Sequence, residues 1–375
     1  MLARELRAIG VEPDDVTPAG VAFRGTHETL VRVNLWSRLA TRVIVRLATF
    51  PARDFATLEK QAARVPWGRV MAPGVRVQFR VTCRKSRLYH SDAVAERVGR
   101  GVLGAVRGAE LAGSTASDDE GGELEQLVIV RLEHDVCTIS VDSSGALLHR
   151  RGWRLQTAKA PLRETLAAAM LAACDWNGDM PLVDPFCGSG TIGIEAALRA
   201  RNMAPGLSRR FMLEQWPGVD AAFVTMARAE ARAAMRPSVG VPIVMSDRDE
   251  GACAAARANA ERAGVLADVE IGPAPLSAVE LSQLGDHGLV LTNPPYGLRI
   301  SEGHDLRNLY AKLGEVVRAG GRGWQLAMLI PDRKMAAPTK LTFETLLTTS
   351  NGGIGVRVER SMKPGAARDQ RPPNA

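Results

Sequence analysis

From about residue 157 onward the chain alternates helix and strand, and this rhythm constrains the fold more than any other feature. Pro161 to Ala173 has helical spacing, with a proline in its first turn. Leu182-Val183-Asp184 is a short apolar strand feeding a glycine turn, and Thr191 to Arg201 is a helix. Val241 to Met245 is a strand, and Asp249 to Ala263 is a helix stopped by Gly264. Val269 to Ile271, Leu289 to Leu291 and Gln325 to Ile330 supply further strands. Such alternation predicts a doubly wound, mostly parallel sheet. Ligands of that architecture bind beyond the carboxyl ends of the strands, where Asp184, Asp247 and Asn293 all fall.

Residues 1–150 read differently, as a smaller α+β region. Val43 to Leu47 and Val75 to Val81 have strand composition, and Asp92 to Leu103 has helical spacing. Leu127 to Leu132 and Val136 to Val141 form a hairpin across Glu133-His134-Asp135. Charge is concentrated here. Arg24 to Arg107 holds 17 Lys/Arg against 5 Asp/Glu, whereas Glu110 to Asp135 holds 8 acids against one base. The basic block suits a polyanion such as RNA, although a solvated arginine-rich surface would look the same. Residues 113–122 are expected to form an exposed acidic loop. The domain boundaries expected are 1–150, 151–362 and a disordered Pro/Arg-rich tail at 363–375.

No apolar run approaches the length of a membrane span, and the first residues carry no signal-peptide pattern. The five cysteines are scattered, without a Cys-x-x-Cys pair, and the six histidines form no ligand-like group. The expectation is a cytoplasmic protein with no metal and no disulfide framework.

Three constellations carry chemistry. The first is Asp184-Pro185-Phe186-Cys187-Gly188-Ser189-Gly190-Thr191. Its glycines let backbone approach a ligand, and the following helix points free N–H groups at the same place. It lacks both the phosphate-loop lysine and the third glycine of a dinucleotide fingerprint. An acid ahead of Gly-x-Gly suits a ligand carrying an amine. The second is Asp247, after the strand 241–245, a position suited to ribose hydroxyls, with Asp249 left to cap the next helix. The third is Asn293-Pro294-Pro295-Tyr296. Neither proline donates to a sheet ladder, and residues before proline are pushed out of the helical region. This stiff segment offers an amide oxygen, free carbonyls and one ring, a set suited to a flat base bearing an exocyclic amine.

Together these residues resemble the class I S-adenosylmethionine-dependent methyltransferases, in the amino-methylating branch with an Asn/Asp-Pro-Pro-aromatic motif. Asp142 to Gly145, Leu148 to Arg154, Ala160 to Ala167, Ile192 to Ala197 and Asn202 to Gly206 look like the THUMP-containing RNA guanine-N2 methyltransferases. In the N-terminal half, Arg38 to Arg42 and Ser86 to His90 resemble the THUMP side of that family. The resemblance implies a Rossmann-like methyltransferase domain behind a small α+β THUMP-like RNA-binding domain. It implies S-adenosylmethionine as cofactor, with Pro161, Thr165, Asp184, Phe186, Gly188, Gly190, Thr191 and Asp247 around it. It places Asn293, Pro294 and Tyr296 at the target base, and Pro295, Tyr296, Arg84, Lys85 and Arg87 at the substrate. The target implied is guanine N2 in RNA, 23S ribosomal RNA before tRNA. The tetrapeptide alone also admits adenine N6 or a glutamine amide, and a non-catalytic RNA-binding factor is the remaining alternative. The family often places an acid after the third strand for the adenine amine; Ile271 to Pro275 has none.

Overall fold

The computed structural model describes residues 1–114, 125–155, 162–296 and 306–362. The chain divides into two compact units. The N-terminal unit comprises Leu2–Arg150 together with Pro205–Ala233. The C-terminal unit comprises Met1, Arg151–Ala204 and Ala234–Ala375.

The N-terminal unit opens with α1 (Leu2–Ala8), the hairpin β1 (Pro13–Thr17) and β2 (Gly20–Phe23), and α2 (His27–Trp36). Thr26 starts α2 through a reciprocal capping box with Thr29. Then follow β3 (Ile44–Pro51), α3 (Phe55–Ala62), β4 (Arg76–Arg84), α4 (Ser91–Ala105), β5 (Glu110–Ser114), β6 (Glu125–Glu133) and β7 (Val136–Asp142). The last five strands form one sheet in the order β3-β7-β6-β4-β5. β6 lies between β7 and β4, which explains its nearly continuous buried run from Gln126 to Val130. α4 buries Val94, Val98 and Val102, a four-residue spacing along one face. It approaches α3 so closely that a Cβ on Gly101 would lie 2.9 Å from the Ala62 carbonyl. The expected hairpin forms between β6 and β7, with His134 and Asp135 both at positive φ, as a tight primed turn requires.

The C-terminal unit contains α5 (Glu164–Ala173), β8 (Leu182–Asp184) and α6 (Thr191–Ala200). After α7 (Ala221–Ala233), which belongs to the N-terminal unit, come β9 (Ile243–Asp247), α8 (Glu250–Arg262), β10 (Glu270–Pro273) and β11 (His287–Thr292). They are followed by α9 (Arg307–Ala319), β12 (Gly323–Ile330), β13 (Phe343–Asn351) and β14 (Ile354–Ser361). The sheet order is β10-β9-β8-β11-β12-β14-β13. The first five strands are mutually parallel; β14 and β13 are antiparallel additions. The connections run outward from β8 in one direction and from β11 in the other, so the topological switch lies between them.

Strand periodicity separates the two faces of this sheet. Leu182, Leu289, Leu291, Ala327 and Leu329 join a core cluster with residues of α5, α6 and α8. Their strand neighbours Val183, Val290, Leu326, Met328 and Ile330 join Tyr310, Leu313, Val316 and Val317 of α9. Helices therefore cover both faces, as a parallel sheet requires.

α5 begins at Glu164, and Pro161 lies outside the described residues, as do most of the acidic loop and the 363–375 tail. Segment 205–233 packs within the N-terminal unit. Gly206 N donates to Leu35 O at 2.9 Å, and a Cβ there would meet the Leu35 Cα at 2.8 Å. Trp216 Nε1 donates to Gln126 Oε1 at 2.7 Å, and α7 contacts α2. Among the described residues, no helix is long and apolar enough to cross a membrane.

Candidate functional site

The switch point gathers most of the chemistry-bearing residues at one edge of the sheet. Asp184 ends β8 and is 1% exposed. Its Oδ1 accepts from Phe186 N at 3.2 Å and from Thr292 Oγ1 at 2.7 Å. Thr292 ends β11, the adjacent strand, and is wholly buried. Burial pushes the Asp184 carboxyl up to about 7, Asp247 pushes in the same direction, and the two donors offset part of the rise. No basic side chain among the described residues pairs with Asp184. An unbalanced buried acid is what a cationic amine would relieve.

The glycine loop leaves room beside this acid. Gly188 has φ +52 and a Cβ placed there would meet nothing within 4 Å. Gly190 has φ +85 and sits at the N-cap of α6 without a capping side chain, so the helix's first N–H groups keep no side-chain acceptor there. A Cβ at Gly190 would come within 3.0 Å of Ala256. Asp247 joins the loop: its Oδ2 accepts from Gly188 N at 3.1 Å and its Oδ1 from Asp249 N at 3.1 Å. Asp249 caps α8, accepting from Gly251 N at 2.8 Å and Ala252 N at 3.3 Å. Cys187 is buried within the loop, and burial raises its thiol far above the ordinary range. A protonated, enclosed thiol is a poor nucleophile, which removes a covalent cysteine route.

Thr191 and Thr165 have different surroundings. Thr191 is buried and its Oγ1 accepts from Arg154 Nη2 at 2.8 Å. Arg154 also donates to Leu162 O at 2.7 Å and pairs with Glu164 at 3.1 Å, which ties the start of α5 to the start of α6. Burial raises Glu164 to about 7 despite that pairing. Thr165, in the first turn of α5, is half-buried, and Phe186 is half-buried against the α9 side of the core. The sequence pattern did not single out Arg154, Glu164 or Thr292.

After Thr292 the ladder ends and Asn293 to Tyr296 run on without regular structure. The Asn293 Oδ1 is buried and has no hydrogen-bond partner among the described residues. Pro294 is buried and Pro295 exposed. Tyr310, itself buried, donates to the Pro295 carbonyl at 3.3 Å and so holds the turn from α9. Tyr296 is only 7% exposed, and its hydroxyl accepts from Asn351 Nδ2 at 3.0 Å. The ring packs in the core, so it offers a stacking face only once uncovered.

Arg84, Lys85 and Arg87 lie in the N-terminal unit, at and just after the end of β4, and all three are exposed. Lys85 has φ +44, and the turn is fastened by Arg87 N donating to Asp135 Oδ1 at 2.8 Å and Asp135 N to Ser86 Oγ at 3.1 Å. Tyr89 beside them is 69% exposed.

Comparison with known proteins gives this arrangement a family. The RMKL-like methyltransferase domain matches residues 151–355, more than half of the chain, and the RlmL ferredoxin-like domain matches residues 1–44. The chain belongs to the RMKL-like methyltransferase family. A Synechocystis protein described as a candidate RNA methyltransferase is 32% identical over 94% of this chain and 91% of its own length. The ribosomal RNA large subunit methyltransferase K/L of Syntrophotalea carbinolica is 36% identical over 96% of this chain. The match covers 51% of that relative, so the chain spans about half the length of the K/L proteins. The crystal structure of SMU.472, a candidate methyltransferase complexed with SAH, superposes with a TM-score of 0.84 at 28% identity, covering 96% of this chain and 94% of that one. The fold is thus the Rossmann-like class I methyltransferase fold behind a small ferredoxin-like domain, and the cofactor of this family is S-adenosylmethionine. Among the described residues no group of three or more His, Cys, Asp or Glu could hold a metal ion.

Proposed function

We propose that this chain transfers a methyl group from S-adenosylmethionine to the exocyclic N2 amine of a guanosine in RNA, with large-subunit ribosomal RNA as the target. The carrying observation is the buried Asn293 Oδ1 just past the end of β11, without a partner among the described residues and one residue from the Thr292–Asp184 hydrogen bond. An orphaned buried acceptor costs roughly 1–3 kcal/mol and is kept where a ligand will supply the donor. An exocyclic amine supplies that donor. The curated relatives named as ribosomal RNA methyltransferases support RNA as the polymer. The first alternative is tRNA, and the same tetrapeptide would also serve adenine N6.

Bound, S-adenosylmethionine supplies an electrophilic methyl group on a sulfonium. Asp184 is assigned to the amine of its methionine part and Asp247 to its ribose hydroxyls. Gly188 and Gly190 admit its approach, lined further by Phe186, Thr191, Thr165 and Pro161. Asp247 now accepts from two backbone N–H groups, so it can hold ribose without leaving the loop. Guanine's N2 lone pair is delocalised into the ring and attacks poorly. Asn293 Oδ1 and the Pro294 carbonyl accept its N–H bonds and favour a more pyramidal nitrogen. The C–N bond forms as the sulfonium C–S bond breaks, and the proton leaves the methylated amine to water. These fixed acceptors face developing positive charge, so orientation and preorganised electrostatics carry the rate. Tyr296 is assigned to the base plane, with its ring uncovered as the base enters. The target must be extruded from its stack to reach this edge.

The N-terminal unit is assigned to RNA binding as a THUMP-like domain, with Arg84, Lys85 and Arg87 on phosphates. Replacing all three by glutamine is expected to weaken RNA binding and to reduce the slope of log affinity against log salt by about two. Binding isotherms at several salt concentrations measure this, and S-adenosylhomocysteine affinity should be unchanged. Mass mapping of ribosomal RNA from a strain lacking the protein tests the whole reading. The expected result is one guanosine losing 14 Da, on the order of one methyl group, at its base. An unchanged large-subunit map would overturn the ribosomal assignment.

A further inference from the structure

We infer that Thr292 is a positioning residue: its hydroxyl sets the Asp184 carboxylate toward the cofactor and ties that carboxylate to the placement of Asn293. The inference rests on the proposed reading of the site and adds a residue that this reading did not contain.

The geometry is specific. β8 and β11 are parallel neighbours in the register Leu289↔Leu182 and Val290↔Val183. Asp184 and Thr292 thus both end their strands at the switch point, and their side chains meet at 2.7 Å. Both are buried, at 1% and 0% exposure, so water does not compete for the bond. Both donors to Asp184 fall on Oδ1, from Thr292 and from Phe186 N. Among the described residues, Oδ2 takes no hydrogen bond and is the oxygen available to a ligand. A threonine has few χ1 choices, so its hydroxyl is a stiff support. The next residue is Asn293, where the strand ladder has ended and the prolines begin. A shift of Asp184 on binding a cation is therefore passed through one side chain and one peptide to the acceptor at Asn293.

The charged group that acts on Asp184 is Asp247 at the end of β9, and the Cys187 thiol lies in the intervening loop. Both are acids or neutral thiols, and no base opposes them among the described residues. The Thr292 hydroxyl is the closest group that favours the ionised form. Removing it should raise the pH needed to ionise Asp184.

The experiment is calorimetric titration of the full chain with S-adenosylhomocysteine between pH 5.5 and 9, without RNA. In the wild type, affinity should rise with pH through a midpoint near 7. Thr292→Val keeps the shape and removes the donor. Its midpoint should move up by about one pH unit, and its affinity at pH 7 should fall about fivefold. Thr292→Ser, which keeps the hydroxyl, should stay near wild type, and Thr292→Ala serves as a second hydroxyl-free variant should valine disrupt folding. A wild-type midpoint in either hydroxyl-free variant overturns the inference, because a purely structural threonine would not move it. A wild type that titrates as expected but methylates no RNA would contradict the substrate reading and leave the role of Thr292 standing.

Discussion

Asn293→Ala is expected to lower methyl transfer by at least about 100-fold, the scale of removing one preorganised polar group from a transition state. Cofactor affinity should stay within about threefold of wild type. The two effects separate because Asn293 lies beyond the end of β11, whereas the described residues assigned to the cofactor lie on β8, β9, the glycine loop and the starts of α5 and α6. The substitution also removes a buried oxygen that has no partner among the described residues. The free protein should therefore be no less stable, and a melting temperature equal to or above wild type is expected. Single-turnover kinetics together with S-adenosylhomocysteine titration measure both quantities. Near-normal turnover in the variant would sink the assignment of Asn293.

Asp184→Asn is expected to separate stability from cofactor binding, gaining the one and losing the other. Its carboxyl is raised from 3.8 to about 7 by burial, and the unfolded chain returns it to the ordinary value. Between those values the folded state holds a proton that the unfolded state has lost. Wild-type stability from this group is thus fully present below about pH 4, declines as pH rises toward 7, and stays reduced above it. The difference corresponds to roughly 4 kcal/mol at most. Asparagine carries no such loss and can still accept from Thr292 and Phe186 N. The ligand-free variant should therefore melt higher than wild type at pH 8 and similarly to it at pH 4. Binding of S-adenosylhomocysteine at pH 8 should fall by roughly 100-fold, because a charge-assisted bond to the ligand amine is lost. Thermal melts with and without ligand at both pH values check the sign. A variant less stable than wild type at pH 8 would contradict the account of Asp184.

The central strands of the parallel sheet were legible because they are buried on both faces and read as short apolar runs, with Asp184 closing one and Thr292 following another. The same logic puts Asp184, Asp247 and Asn293 on one edge of the sheet. Thr292 was not legible. In the sequence it is only the last residue of an apolar run, and its partner lies 108 residues away, fixed by strand register alone. Arg154, Glu164 and Thr191 form a charged junction between two helix starts for which no spacing rule exists. The Tyr296 hydroxyl is held by Asn351 at the β13–β14 turn, 55 residues downstream. That hairpin could have been read from Gly352-Gly353 between β-rich segments, since both glycines adopt the positive φ that a primed turn requires. Segment 205–233 has ordinary helical spacing in α7. Its place with the N-terminal unit follows from long-range bonds such as Gly206 to Leu35 and Trp216 to Gln126, which leave no local pattern.

One measurement addresses the central claim most directly. The full chain is incubated with unmethylated ribosomal RNA and S-adenosylmethionine, the RNA is digested to nucleosides, and the modified nucleoside is identified by mass and retention. The account predicts N2-methylguanosine with the wild type and its near absence with Asn293→Ala. N6-methyladenosine as the product, or equal product from both proteins, would contradict it.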